Sequence, residues 1–129
     1  HLSNYTNGDL IMIGSNLHHI GFTENFEDGK TEVVVQFLPD FIGTAFSKAS
    51  EFQSIIKLFD NSKFGLSFPE SVKNRIGDAL LGLQYETSFE RILTLLRVLK
   101  ILAAQKPIFL NNSNLEELSN NNQLKRLIS

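Results

Sequence analysis

Cysteine is absent from this chain of 129 residues. That excludes a disulfide framework, a thiolate zinc site and a cysteine nucleophile. It also fits a reducing compartment, so a cytoplasmic location is expected. Tryptophan is absent too, and 2 tyrosines accompany 11 phenylalanines, which leaves few stacking platforms for single-stranded nucleic acid. No apolar run nears the roughly 18–20 residues that span a bilayer, so no membrane partner is expected. An excess of one charge is missing: 14 acids against 12 bases leave −2, a poor balance for binding nucleic acid directly. An initiating Met is missing as well. The chain opens at His1 without a signal-like segment, and is expected to be a piece of something longer.

What is present is ordinary globular material, 42% hydrophobic and 20% charged, enough for one domain. Charge and pattern divide it into three stretches. Residues 1–69 hold 8 acids and 4 bases, residues 70–106 hold 4 and 6, and residues 107–129 hold 2 of each.

The first stretch reads as strands and then helices. Asn7-Gly8-Asp9 is a turn signal, and Leu10 to Ile13 is a short apolar run suited to a buried strand. Leu17 to Phe22 is the next expected strand. Glu27-Asp28-Gly29-Lys30 is a hairpin-type turn, followed by the β-branched Val33 to Phe37, which Pro39 ends. Phe41, Ile42, Ala45 and Phe46 then recur at helical spacing. Ser50-x-x-Gln53 has the form of a capping box, opening a helix through Ile55, Ile56 and Phe59 to about Asp60-Asn61. Phe64, Leu66 and Phe68 alternate as one more short strand.

The second stretch predicts an antiparallel helical pair. Pro69 and Glu70 suit a first helical turn, and Val72, Ile76, Leu80 and Leu83 share a face. The connection from Gly82 to Glu86 is short enough to turn the next helix back alongside. Thr87-x-x-Glu90 is a second capping box, opening a helix to about Gln105 that Lys106-Pro107 stops. Its apolar residues cover well over half its circumference, more than the roughly 100° stripe a monomer's surface helix needs. Either the helix is central in its own fold, or it packs on its own domain with one side and on a partner subunit with the other. The second option assigns a dimer interface to Ile92, Leu95, Leu96, Leu99 and Leu102. The third stretch, rich in Asn, reads as a linker with a short helix near Leu115 to Leu118 and the start of another at Leu124.

Chemistry-bearing motifs are sparse. His18-His19 is the one histidine pair, and neighbours on a strand point to opposite faces, so no metal site is expected there. The pair reads instead as turn or pocket-rim histidines. Glu27-Asp28 and Glu116-Glu117 read as solvated. No nucleophile elbow, phosphate-cradling loop or His-Glu-x-x-His motif occurs, so no catalytic residue or cofactor is expected. Lys73, Arg75, Arg91, Arg97 and Lys100 form no block and read as a solvated helix face. Most phenylalanines are expected in the core, a few against an apolar pocket.

Gly8-Asp9-Leu10-Ile11-Met12-Ile13-Gly14-Ser15-Asn16-Leu17-His18-His19 resembles the strand–turn–strand passage of the sensor domains of AraC-type transcription regulators. Those passages commonly read Gly-Asp, apolar residues, Gly-Pro-Asn-x-Pro-His; here Ser15 and His18 replace the prolines while Asn16 and His19 fit. Val35-Gln36-Phe37, then Glu51-Phe52 with Ile55, Ile56 and Leu58, resemble the passages that follow. Phe64-Gly65-Leu66-Ser67-Phe68 is similar to the Arg-Gly-Ile-x-Phe strand, with Phe64 for the basic residue. Phe89-Glu90-Arg91-Ile92-Leu93 and the Leu-rich helix after it resemble the dimerisation helices.

The resemblance covers nearly the whole chain and implies an α+β fold. A partial cupin-like antiparallel sheet would be followed by an antiparallel helical pair and a C-terminal linker helix. Residues 1–68 would be the second half of the sensor, 69–106 the dimerising hairpin and 107–129 a linker toward a helix-turn-helix domain beyond this chain. It implies a bacterial regulator rather than an enzyme: a homodimer, a small-molecule effector with His19, Phe22 and Phe37 at the pocket rim, and DNA contact only through the downstream domain. Such a cut leaves an unpaired barrel edge expected at the first strands. The alternatives are a cupin-type sugar-binding protein or enzyme, and a structural interaction domain.

Overall fold

The computed structural model of the chain describes residues 9–14, 16–26 and 29–110. The class is α+β: among the described residues there are five antiparallel strands and three α-helices. The strands are β1 (Leu10–Gly14), β2 (His18–Phe26), β3 (Gly29–Phe37), β4 (Leu66–Phe68) and β5 (Ile108–Phe109). The helices are α1 (Gln53–Ser62), α2 (Glu70–Gly82) and α3 (Ser88–Ala103).

The sheet runs in the order β3-β2-β1-β4-β5. β1 is thus interior, with β2 on one side and β4 on the other. The open edge expected at the first strands is not there; among the described residues the outer strands are β3 and β5. The reason is the Phe64–Phe68 segment, which returns after α1 to pair Leu10 with Phe68 and Met12 with Leu66.

Strand alternation sorts the side chains into two sets. Leu10, Met12, Ile20, Phe22, Val33, Val35, Phe37, Leu66 and Phe68 share one face and form the core with the helices. α1 contributes Ile55 and Leu58, α2 contributes Val72, Ile76 and Leu80, and α3 contributes Leu95, Val98, Leu99 and Leu102. One cluster therefore joins residues from both sides of position 68, so the boundary between the first two stretches divides the sequence and not the packing. The intervening residues turn to the other face, where Ile11, Val34 and Ser67 are also buried. There the Ser67 hydroxyl donates to Asp9 Oδ2 at 3.2 Å.

Local sequence explains most elements. Pro69 is the N-cap residue of α2, and the Thr87–Glu90 capping box is complete, each side chain meeting the other's backbone N–H at 3.2 and 3.0 Å. The Ser50–Gln53 box does not form. Gln53 Nε2 donates instead to the Ser47 and Ala49 carbonyls, a 3-10 turn occupies Ser50–Phe52, and α1 begins only at Gln53. The helical spacing of Phe41 to Phe46 is also not realised. Gly43 takes φ 91°, a conformation open to glycine and closed to a helix, and the segment folds as successive turns into a 3-10 turn at Phe46–Lys48.

Two further differences lie at the sheet's far edge. Phe64 precedes β4, half exposed, with its ring 6.1 Å from that of Phe109. Ile108 and Phe109, expected at the start of a linker, form β5 against Leu66 and Ser67. The Leu110 N–H extends that contact to the Gly65 carbonyl at 2.9 Å. The helices expected near Leu115 and Leu124 fall outside the described residues.

Candidate functional site

α3 is where sequence and structure together point to function. Its capped start fixes the helix at the end of the 3-10 turn Leu83–Tyr85. Among the five expected interface residues, Leu95, Leu99 and Leu102 are buried in the chain's own core, while Ile92 and Leu96 are half-buried. The over-wide arc is therefore divided: part is core, and part is left outward. The outward part includes Phe89 and Leu93, one turn apart on the helix and absent from the expected interface, and Tyr85 of the preceding 3-10 turn is exposed as well. Tyr85 is 85% exposed, Phe89 69% and Leu93 45%.

Beside these residues lies a cleft of about 130 Å³ between β3 and the start of α3. Val35, Phe41, Leu83, Ile92 and Leu95 give it apolar walls, and Gln36 and Arg91 supply its polar side. Arg91 is held by the end of the preceding helical turn: its Nε donates to the Leu83 carbonyl at 2.8 Å, with Nη2 3.5 Å from the Gln84 carbonyl. The basic residues of this region separate accordingly. Arg75, Arg97 and Lys100 are exposed, Arg91 caps carbonyls, and Lys73 pairs with Glu24 of β2 at 2.8 Å.

The expected pocket-rim residues do not come together. Phe22 and Phe37 lie on the helix-covered face, 3% and 7% exposed, whereas His19 lies on the opposite face. The cause is parity: His19 is three residues from Phe22 on the same strand, and it pairs with Gln36, the neighbour of Phe37, so it faces away from both. His19 Nδ1 and Gln36 Nε2 are 3.3 Å apart there.

His18, read as a turn or rim residue, is a core residue. It is stacked between Phe37 and Phe59, with centroids at 5.4 and 4.8 Å, and its Nδ1 lies 3.1 Å from the Ser62 hydroxyl. Burial, with a smaller push from the charge of His19, lowers its pKa below the ordinary value. The folded state thus resists a proton that the unfolded chain accepts. Stability is full above the ordinary histidine value and falls as pH drops through it toward the folded value. Urea unfolding at pH 7.5 and 5.5 is expected to show this loss, and a His18→Asn variant a shallower pH slope; equal slopes would assign the proton elsewhere. Burial raises the Glu32 carboxyl, which acts in the opposite sense, its stabilisation declining as pH rises through the acidic range.

Among the described residues, no three His, Asp or Glu side chains gather as metal ligands, and no helix is long and apolar enough to cross a membrane. Comparison of the chain with protein-family models, curated proteins and solved structures gives no match in any of the three.

Proposed function

We propose that this chain is the effector-sensing and dimerisation portion of an AraC-type transcription regulator, acting on DNA through a downstream helix-turn-helix domain. The observation that carries the reading is α3: a capped, Leu-rich helix that seats one side in its own core and turns Phe89 and Leu93 outward, with Tyr85 of the turn before it also exposed. Contiguous outward apolar side chains of this size mark an interaction surface. The ordered motifs quoted above, from Gly8-Asp9 to Phe89-Glu90-Arg91, support the family. In this reading β1–β4 belong to a cupin-like sensor, and pairing of two α3 helices sets the distance between two DNA-binding units and hence between half-sites. An effector acts by binding two arrangements of the pair unequally. The protein works in the cytoplasm and is not an enzyme.

The test is association. The 129-residue chain is expected to sediment as a dimer at micromolar concentration, and the double variant Phe89→Glu, Leu93→Glu as a folded monomer with an unchanged far-ultraviolet spectrum. A wild-type chain that is monomeric at that concentration counts against the reading. Substituting Leu95 and Leu99 instead would unfold the core, since both are buried.

A further inference from the structure

The cleft between β3 and α3 has three properties that together select a ligand chemistry. The first is size. An enclosed apolar cavity of about 150 Å³ accepts a benzene-sized molecule, and this cleft, open on one side, is of similar size at about 130 Å³. The second is a fixed cation. The Arg91 guanidinium is permanently charged, and its orientation is set by the Leu83 and Gln84 carbonyls. Those contacts leave further Nη donors without an acceptor among the described residues. Arg91 also lies at the first turn of α3, where the helix dipole favours an anion.

The third property is the state of the nearby acids. Glu90 Oε1 accepts the Thr87 N–H at 3.0 Å, and Glu86 Oε2 accepts the Thr94 hydroxyl at 3.0 Å. Neither forms an ion pair with Arg91. Their charges discourage a multiply charged anion such as phosphate or a dicarboxylate, and leave room for a single negative charge on the guanidinium.

We propose that this cleft binds a small apolar monocarboxylate, its tail against Val35, Ile92 and Leu95 and its carboxylate on Arg91. The assignment stands on the cleft alone and does not depend on the regulator reading. A charge-assisted hydrogen bond contributes about 1.5–3 kcal/mol, so the acid binds at least about tenfold tighter than the alcohol of the same length.

The experiment is a methyl and amide NMR titration of the 129-residue chain with hexanoate, hexanol and hexylamine. Hexanoate is expected to shift Val35, Ile92 and Leu95 saturably, hexanol at least tenfold more weakly, and hexylamine not at all. Ile92→Phe enlarges a wall residue of the cleft while keeping Arg91 and is expected to abolish the hexanoate shifts. Arg91→Gln is expected to bring hexanoate down to the level of hexanol. Absence of saturable shifts at these residues in the wild type, or equal binding of acid and alcohol, overturns the proposal. That comparison needs no variant, so a substitution that fails to fold does not leave it undecided.

Discussion

Gly14→Ala is expected to lower the unfolding free energy by about 3 kcal/mol, at the upper end of what an overfilled site costs. Gly14 ends β1 directly opposite His18. A methyl built on it would fall on His18 Nδ1 and within 2.7 Å of both the Cγ and the backbone Cα of the same residue. A flexible side chain could swing aside; a backbone carbon in a paired strand cannot. Nor has the ring an exit, held between Phe37, Phe59 and the Ser62 hydroxyl. The fitting measurement is the urea midpoint, with Gly21→Ala alongside. At Gly21 the added methyl would meet Val33 O at 3.4 Å and Val34 Cγ2 at 3.7 Å, ordinary contacts, and alanine suits a strand interior at least as well as glycine. A loss at Gly14 no larger than at Gly21 would show that the ring relaxes freely.

Phe68→Ala is expected to cost about 3–5 kcal/mol, the range for deleting a buried phenylalanine. Its side chain is fully buried in β4, paired with Leu10, within the cluster that both sheet and helices share. Domains of this size unfold for about 5–15 kcal/mol in total, so the variant forfeits a large share. Denaturant titration at 25 °C reads it directly. Phe64→Ala is the internal comparison: that ring is half exposed and meets Phe109 rather than the core, so about 1 kcal/mol or less is expected. Similar losses at both positions would mean that β4 is anchored by its edge and not by its buried face.

These residues show where sequence reasoning reaches and where it stops. The Val72, Ile76, Leu80 and Leu83 face, the short connection and the Thr87 capping box are local features, and they predict α2 and α3 well. His18 was not legible, because what buries it is the register with Gly14 and the arrival of α1, both non-local. Adjacency did show that His18 and His19 part company; it could not show which of them faces the core. Phe41 to Phe46 has a helix's spacing, but Gly43 and Pro39 override it. β5 is two residues long and follows Pro107, too short for any periodic signal. At the candidate site, the width of the α3 arc was legible while its direction was not. Leu95, Leu99 and Leu102 are as apolar as Phe89 and Leu93, and only packing separates the inward set from the outward one. The cleft carried no sequence signal, since its walls come from β3, a turn and α3, and Arg91 read as one more solvated base.

The interior place of β1 also bears on how the chain acquires its fold. β1 meets β2, and β2 meets β3, through neighbouring hairpin contacts that close quickly. Its other edge is completed only by β4, where Asp9 and Ser67 touch across 58 residues of sequence. Closing so long a loop carries an entropic cost that the hairpins avoid, and contacts of this separation slow folding. Of the two pairings of β1, the one with β4 therefore spans the longer loop and carries the larger closure cost. Any chain in which β4 is unpaired leaves that edge of Leu10-Ile11-Met12-Ile13 open, and an unpaired edge is a template for other chains.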